Sequence, residues 1–128
     1  MRMWKVPPKL MCRKHLLGEH LEMHMFNTSL ADGKNLQGFI NNGILETDYV
    51  HQRHAELVEE MEARGYNHQS PLKWPPAPFA EGKINVWEQL VELYRRCPEC
   101  RKIIEQNPEE VENVRSQEHD RGHRQCSA

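Results

Sequence analysis

Proline sets the tightest constraint on what this chain can fold into. Pro7-Pro8 stand near its start, Pro71, Pro75, Pro76 and Pro78 crowd its middle, and Pro98 follows. Each ring fixes φ, removes an amide donor and clashes with the preceding turn, so these positions break regular helices and central strands. The intervals between them must supply the core. Leu10, Leu17, Leu21 and Met25 recur at helical spacing in the first interval, with Leu16 beside them, and Val50, Leu57, Val58 and Met61 in the second. Val86, Leu90, Leu93 and Tyr94 do so in the third. No β-alternation is sustained, which predicts an all-α fold. The expected form is a single small domain of about three main helices with long ordered loops and a polar C-terminal tail.

Local signals set the boundaries. The first helix is expected from Pro8 or Lys9, proline being tolerated in a first turn, to about Met25, with Asn27-Thr28-Ser29 as a break. Between Gly33 and Gly43 lies a loop with one short helix around Leu36–Ile40. Thr47 or Asp48 can cap the second helix, and Gly65 stops it. Residues 66–82 read as an ordered loop pinned onto the helices by Trp74 and Phe79. A third helix starts near Asn85, is interrupted or restarted by Pro98, and resumes through Ile103 and Ile104. Past Asn107 the apolar residues are Val111 and Val114. Residues 1–106 are therefore read as the helical domain and 107–128 as a polar tail, either disordered or tethered by zinc.

A chain of 128 residues, 38% apolar, can bury one modest core. No run approaches the ~18 apolar residues of a membrane span, and no signal-peptide pattern opens the chain. A cytoplasmic protein with reduced cysteines is expected. A net charge of −2 argues against a dedicated nucleic-acid binder, but the distribution argues the other way. Arg2, Lys5, Lys9, Arg13 and Lys14 all precede the first acid, Glu19. They form either a phosphate-contacting segment or an ordinary solvated one.

On a helix over residues 9–25, His15, Glu19 and Glu22 share one face, with His20 and His24 on a neighbouring one. Three readings of the pattern stay open: a solvent-facing stripe, a helix-stabilising His15–Glu19 pair, or a metal site. Further on, Cys97-Pro98-Glu99-Cys100 is a C-x2-C pair followed by His119, His123 and Cys126. That is the arithmetic of a structural zinc site built from Cys97, Cys100, His119 and His123. The alternative is an incidental pair in a helical turn.

Two stretches carry a resemblance. Met1-Arg2-Met3-Trp4 followed by Leu16-Leu17-Gly18-Glu19-His20-Leu21-Glu22 is similar to the N-terminal signature of the pyrimidine-dimer DNA glycosylase/abasic-site lyase family. Glu60-Met61-Glu62-Ala63-Arg64-Gly65-Tyr66 resembles a helix end of that family, and the proline-rich loop through Pro78-Phe79 and Gly82 fits as well. The resemblance covers roughly residues 1–83. It implies a DNA repair enzyme whose nucleophile is the α-amine of residue 1. An α-amine has a reference pKa of about 7.7–8.0, so part of it is neutral near pH 7. The amine attacks C1′, expels the base and leaves an imine, and proton removal at C2′ drives β-elimination.

By this resemblance Met1 supplies the nucleophile, Glu22 the acid/base and charge-stabilising carboxylate, and His15 a group orienting Glu22 or the sugar. Arg2, with Lys5, Arg13 and Lys14, is expected to contact double-stranded DNA. No cofactor is expected for catalysis, zinc being structural, and the protein is expected to be a monomer. Methionine is removed efficiently only before small residues, so Arg2 implies that Met1 is retained. Phage members place arginines beside the catalytic glutamate, where this chain has Leu21 and Met25, and they end in an aromatic-rich segment, whereas Tyr94 is the last aromatic here. The reaction type therefore carries over better than the substrate, and a phage-encoded protein in a host cytoplasm also fits. The competing readings are an inactive DNA- or protein-binding module with a C-terminal zinc site, and a metal-dependent nuclease using His15, Glu19 and Glu22.

Overall fold

The computed structural model describes the backbone of residues 1–127 and the side chains of residues 1–118. The described residues form an all-helical fold: a 3-10 turn, Pro8–Leu10, then α1 (Arg13–Ala31), α2 (Gln37–Asn41), α3 (Val50–Ala63), α4 (Val86–Arg96), α5 (Pro98–Glu105) and α6 (Pro108–Ser127). No helix among them is long and apolar enough to cross a membrane. Helix α1 packs on α3, while α4, α5 and α6 pack against one another.

The inward face of α1 is not the expected one. Leu16, Met23 and Phe26 are buried, and so are Glu19, His20 and Asn27. Leu21 and Met25, read as part of the apolar stripe, are 61% and 47% exposed. The polar stripe thus faces the protein, and each fully buried apolar side chain beside it contributes about 1.5–3 kcal/mol. Helix α1 also runs straight through the expected break. The Asn27 amide donates to the Trp74 carbonyl at 3.1 Å and accepts from the Trp74 amide at 3.0 Å. A side chain satisfied by a distant backbone no longer competes for the helix's own hydrogen bonds.

The same contact corrects the account of the proline-rich loop. The Trp74 and Phe79 rings are 36% and 44% exposed, so they do not pin it. Backbone groups do: the His51 ring meets the Trp74 carbonyl at 2.9 Å, Thr47 Oγ1 donates to Phe79 O at 3.0 Å, and Glu81 N donates to Thr47 Oγ1 at 2.8 Å. Thr47 serves the loop and does not cap α3, whose N-cap is Tyr49. At the loop's end Gly82 has φ +92°, and a Cβ there would lie 2.0 Å from the Leu45 carbonyl oxygen. Gly82→Ala is therefore expected to lower unfolding free energy by at least ~2 kcal/mol, read by urea denaturation.

Several boundaries match the sequence reading. Gly65, at φ +84°, ends α3 with Gly65 N on Glu62 O and Tyr66 N on Met61 O, both 2.9 Å. Asn85 caps α4 through Glu88 N, and Pro98 opens α5. The polar segment beyond residue 107 begins as a helix, held by buried Val114 and half-buried Val111.

Candidate active site and two side-chain clusters

Residues 1–4 lie along α1 without regular secondary structure, and the backbone turns at Lys5, whose φ is +61°. Met3, Trp4 and Val6 are buried, and Met3 N donates to Ile44 O at 2.8 Å. Two glutamates one helical turn apart receive the other amides. Arg2 N donates to Glu22 Oε2 at 3.2 Å, and Trp4 N donates to Glu19 Oε2 at 3.0 Å, so the segment runs antiparallel to α1. Residue 1 is thereby fixed one position from the Glu22 carboxylate. Burial raises the Glu22 pKa above its ordinary value, while the Arg2 amide and the Met1 ammonium pull it back down.

The two carboxylates have different tasks. Glu19 is buried in a bidentate pair with Arg53, Nε on Oε2 at 2.7 Å and Nη2 on Oε1 at 2.8 Å. With Trp4 N also on Oε2, Glu19 is committed to holding the chain start. Glu22 is only half-buried and carries one amide. The His15–Glu19–Glu22 metal centre of the nuclease reading does not assemble. Arg53 was missed in the sequence, although a charged residue between Val50 and Leu57 on an apolar stripe was the available signal.

Arg2 lies 3.8 Å over the Trp4 ring and donates to the Gln89 side chain on α4. Arg96 approaches the same ring at 5.6 Å. Burial and the Arg96 charge lower the Arg2 pKa, against the Glu92, Glu22 and Glu19 carboxylates that raise it, and Arg96 is itself paired with Glu92 at 2.8 Å. Arg13 and Lys14 are exposed at the start of α1. Lys5, expected among the phosphate contacts, is instead turned inward: its Nζ meets both Glu46 oxygens at 3.0 Å and lies over Tyr49.

His15 is placed with the cysteines and not against Glu22. Its Nδ1 is 3.3 Å from Cys12 Sγ and 3.7 Å from Cys100 Sγ, and Cys12 Sγ is 3.9 Å from Cys97 Sγ. Cys97 and Cys100 therefore find their companions in Cys12 and His15. The expected partners His119 and His123 lie outside the residues whose side chains are described. The missed signal was Cys12-x2-His15, a second ligand pair far upstream.

A second cluster joins α1, α3 and the proline-rich loop. His20, His24, His54 and His68 bring their ring nitrogens within 4.8 Å of one another. Burial, followed by the neighbouring rings, lowers His20 and His54 to about 4, so both are neutral at pH 7. His20 Nε2 and His24 Nε2 are buried without a hydrogen-bond partner.

No curated protein and no solved structure matches the chain. A family model does: pyrimidine dimer DNA glycosylase, over residues 1–73, the stretch from the chain start through α1 and α3 to the proline-rich loop. That span is more than half of the 128 residues and contains Met1, Glu19, Glu22 and Arg53, so the chain belongs to the pyrimidine dimer DNA glycosylase family.

Proposed function

We propose that the protein is a DNA glycosylase with coupled abasic-site lyase activity on damaged or modified pyrimidines in duplex DNA, with the Met1 amine as nucleophile and Glu22 as its partner. The observation that carries this reading is the bond from the Arg2 amide to Glu22, which fixes the chain start against a half-buried carboxylate. The neutral amine adds to C1′ as the C1′–N bond breaks, and the base leaves with a proton. The C1′–O4′ bond then opens, O4′ taking a proton, and the resulting iminium acidifies C2′; Glu22 accepts the C2′ proton and the C3′–O bond breaks as the 3′ phosphate departs. Hydrolysis of the imine returns the amine. The Glu22 carboxylate also stabilises the iminium charge.

Arg2, held flat by Trp4 and Gln89, is assigned to a phosphate, with Arg96 beside it and Arg13 and Lys14 as outer contacts. Leu21 and Met25 leave the later turns of α1's exposed side uncharged, so grip on the DNA is assigned to these four cations. Arg13→Gln is expected to weaken duplex binding about equally on all sequences and to reduce the log–log salt slope by about 1, in titrations at several salt concentrations.

Borohydride trapping tests the chemistry. Untagged protein is expected to form a covalent adduct with abasic-site duplex, mapped to residue 1 by mass spectrometry. Acetylation of the α-amine is expected to abolish the adduct. An adduct on a lysine, or none on abasic or ultraviolet-irradiated duplex, would overturn the assignment.

A further inference from the structure

We infer that Cys12, His15, Cys97 and Cys100 form a structural zinc site that ties the catalytic chain start to α4 and α5. The geometry is the first argument. Zinc binds thiolate at ~2.3 Å and imidazole at ~2.0–2.1 Å in a tetrahedron, which sets S···S edges near 3.8 Å and S···N edges near 3.5 Å. The observed S···S edge is 3.9 Å and the S···N edges are 3.3 and 3.7 Å. A disulfide needs about 2.05 Å and does not fit. One tetrahedral ion fits all four groups.

The backbone is the second argument. Cys12 N donates to Cys100 Sγ at 3.2 Å, and Cys100 N to Cys97 Sγ at 3.4 Å. Amide donors aimed at sulfur stabilise thiolate, the form a metal requires. Cys97 is both the C-cap of α4 and the N-cap of α5, and Cys12 is the N-cap of α1. The site therefore crosslinks three helix ends. It fixes α4, which carries Gln89 and Arg96, relative to the segment bearing Met1 and Arg2.

A different observation carries a second site. His20, His24, His54 and His68 converge, and the Nε2 atoms of His20 and His24 are buried without partners. His54 Nε2 and His68 Nε2 meet the Ser70 carbonyl at 3.2 and 3.0 Å. A carbonyl receiving both N–H groups fixes the tautomer that turns each Nδ1 lone pair toward a metal, as outer partners of ligating histidines commonly do. We propose an all-imidazole site for a divalent transition metal here, pinning the proline-rich loop to α1 and α3.

Cadmium-113 NMR of the full-length protein after exchange separates the two without any substitution. Two resonances are expected, one strongly downfield from a thiolate-rich site and one upfield from an imidazole-only site. Absence of the downfield line overturns the first site, and absence of the upfield line overturns the second. Ligand identity is then read from cobalt titrations. The thiolate-to-cobalt charge-transfer band is expected to weaken by about one thiolate's share, three falling to two, in Cys12→Ser and to persist unchanged in His119→Ala and His123→Ala. The reverse pattern assigns the thiolate site to the C-terminal histidines and overturns Cys12 and His15. Should Cys12→Ser fail to fold, His15→Cys decides: a stronger thiolate band supports the assignment, and an unchanged one overturns it.

Discussion

Glu22→Gln is expected to leave the fold intact and to slow strand cleavage by roughly 10²–10⁴-fold, the range for a positioned acid/base group. The substitution is conservative where the fold is concerned. A glutamine carbonyl still accepts the Arg2 amide, so the chain start stays docked. The charge is lost, and with it the base for C2′ and the counter-ion of the iminium. Single-turnover cleavage of abasic duplex, beside thermal melting, separates the two effects. A wild-type rate in the folded variant would remove Glu22 from the chemistry. The pH profile carries the same signature. Burial raises the Glu22 pKa, and activity requiring its carboxylate falls as pH drops through that raised value. The part of the acid limb that Glu22 sets is thus expected above the ordinary 4.5, and Glu22→Gln is expected to remove that part while leaving the part set by protonation of the nucleophile.

The largest loss of stability is expected at Glu19. Removing its charge by Glu19→Gln leaves the fully buried Arg53 guanidinium with one carboxylate, the part-exposed Glu56 at 3.1 Å, beside the neutral Met11 Sδ at 3.6 Å. Breaking a buried pair in this way costs about 3–5 kcal/mol. The double variant Glu19→Leu/Arg53→Met is expected to recover much of that, since a packed apolar pair often equals a buried ion pair. Recovery should be incomplete, because the Trp4 amide then lacks its acceptor. Urea denaturation of the parent and the two variants measures the pattern. Equal stability of Glu19→Gln and the parent would contradict it.

The sequence and the structure agree where the controlling signal is local. Gly65 at the end of α3, Asn85 at the start of α4 and Pro98 at the start of α5 each act within a turn of where they stand. They part where a distant partner decides. Asn27 reads as a helix breaker until Trp74, 47 residues on, takes up its amide. Glu19 and Glu22 look alike on one stripe, and Arg53 on α3 separates the ion-paired carboxylate from the one proposed to react. Cys97-x2-Cys100 announces a ligand pair, but its nearest companions lie at Cys12 and His15, some 85 residues upstream. Glu22 itself was legible only through family resemblance, because helical spacing cannot report that a chain start folds back onto it.

That fold-back has a consequence for how the enzyme comes into being. Synthesis delivers the N-terminal segment and its glutamates early, yet some of the groups that brace them are made much later. Arg2 waits for Gln89 and Cys12 for Cys100, separations of 87 and 88 residues. Arg2 and Glu22 therefore leave the ribosome together, well before α4 and α5, which brace them, have been made. On the proposed function, a chain stalled before α4 would hold Glu22 against the Arg2 amide without the brace that Gln89 gives the Arg2 side chain.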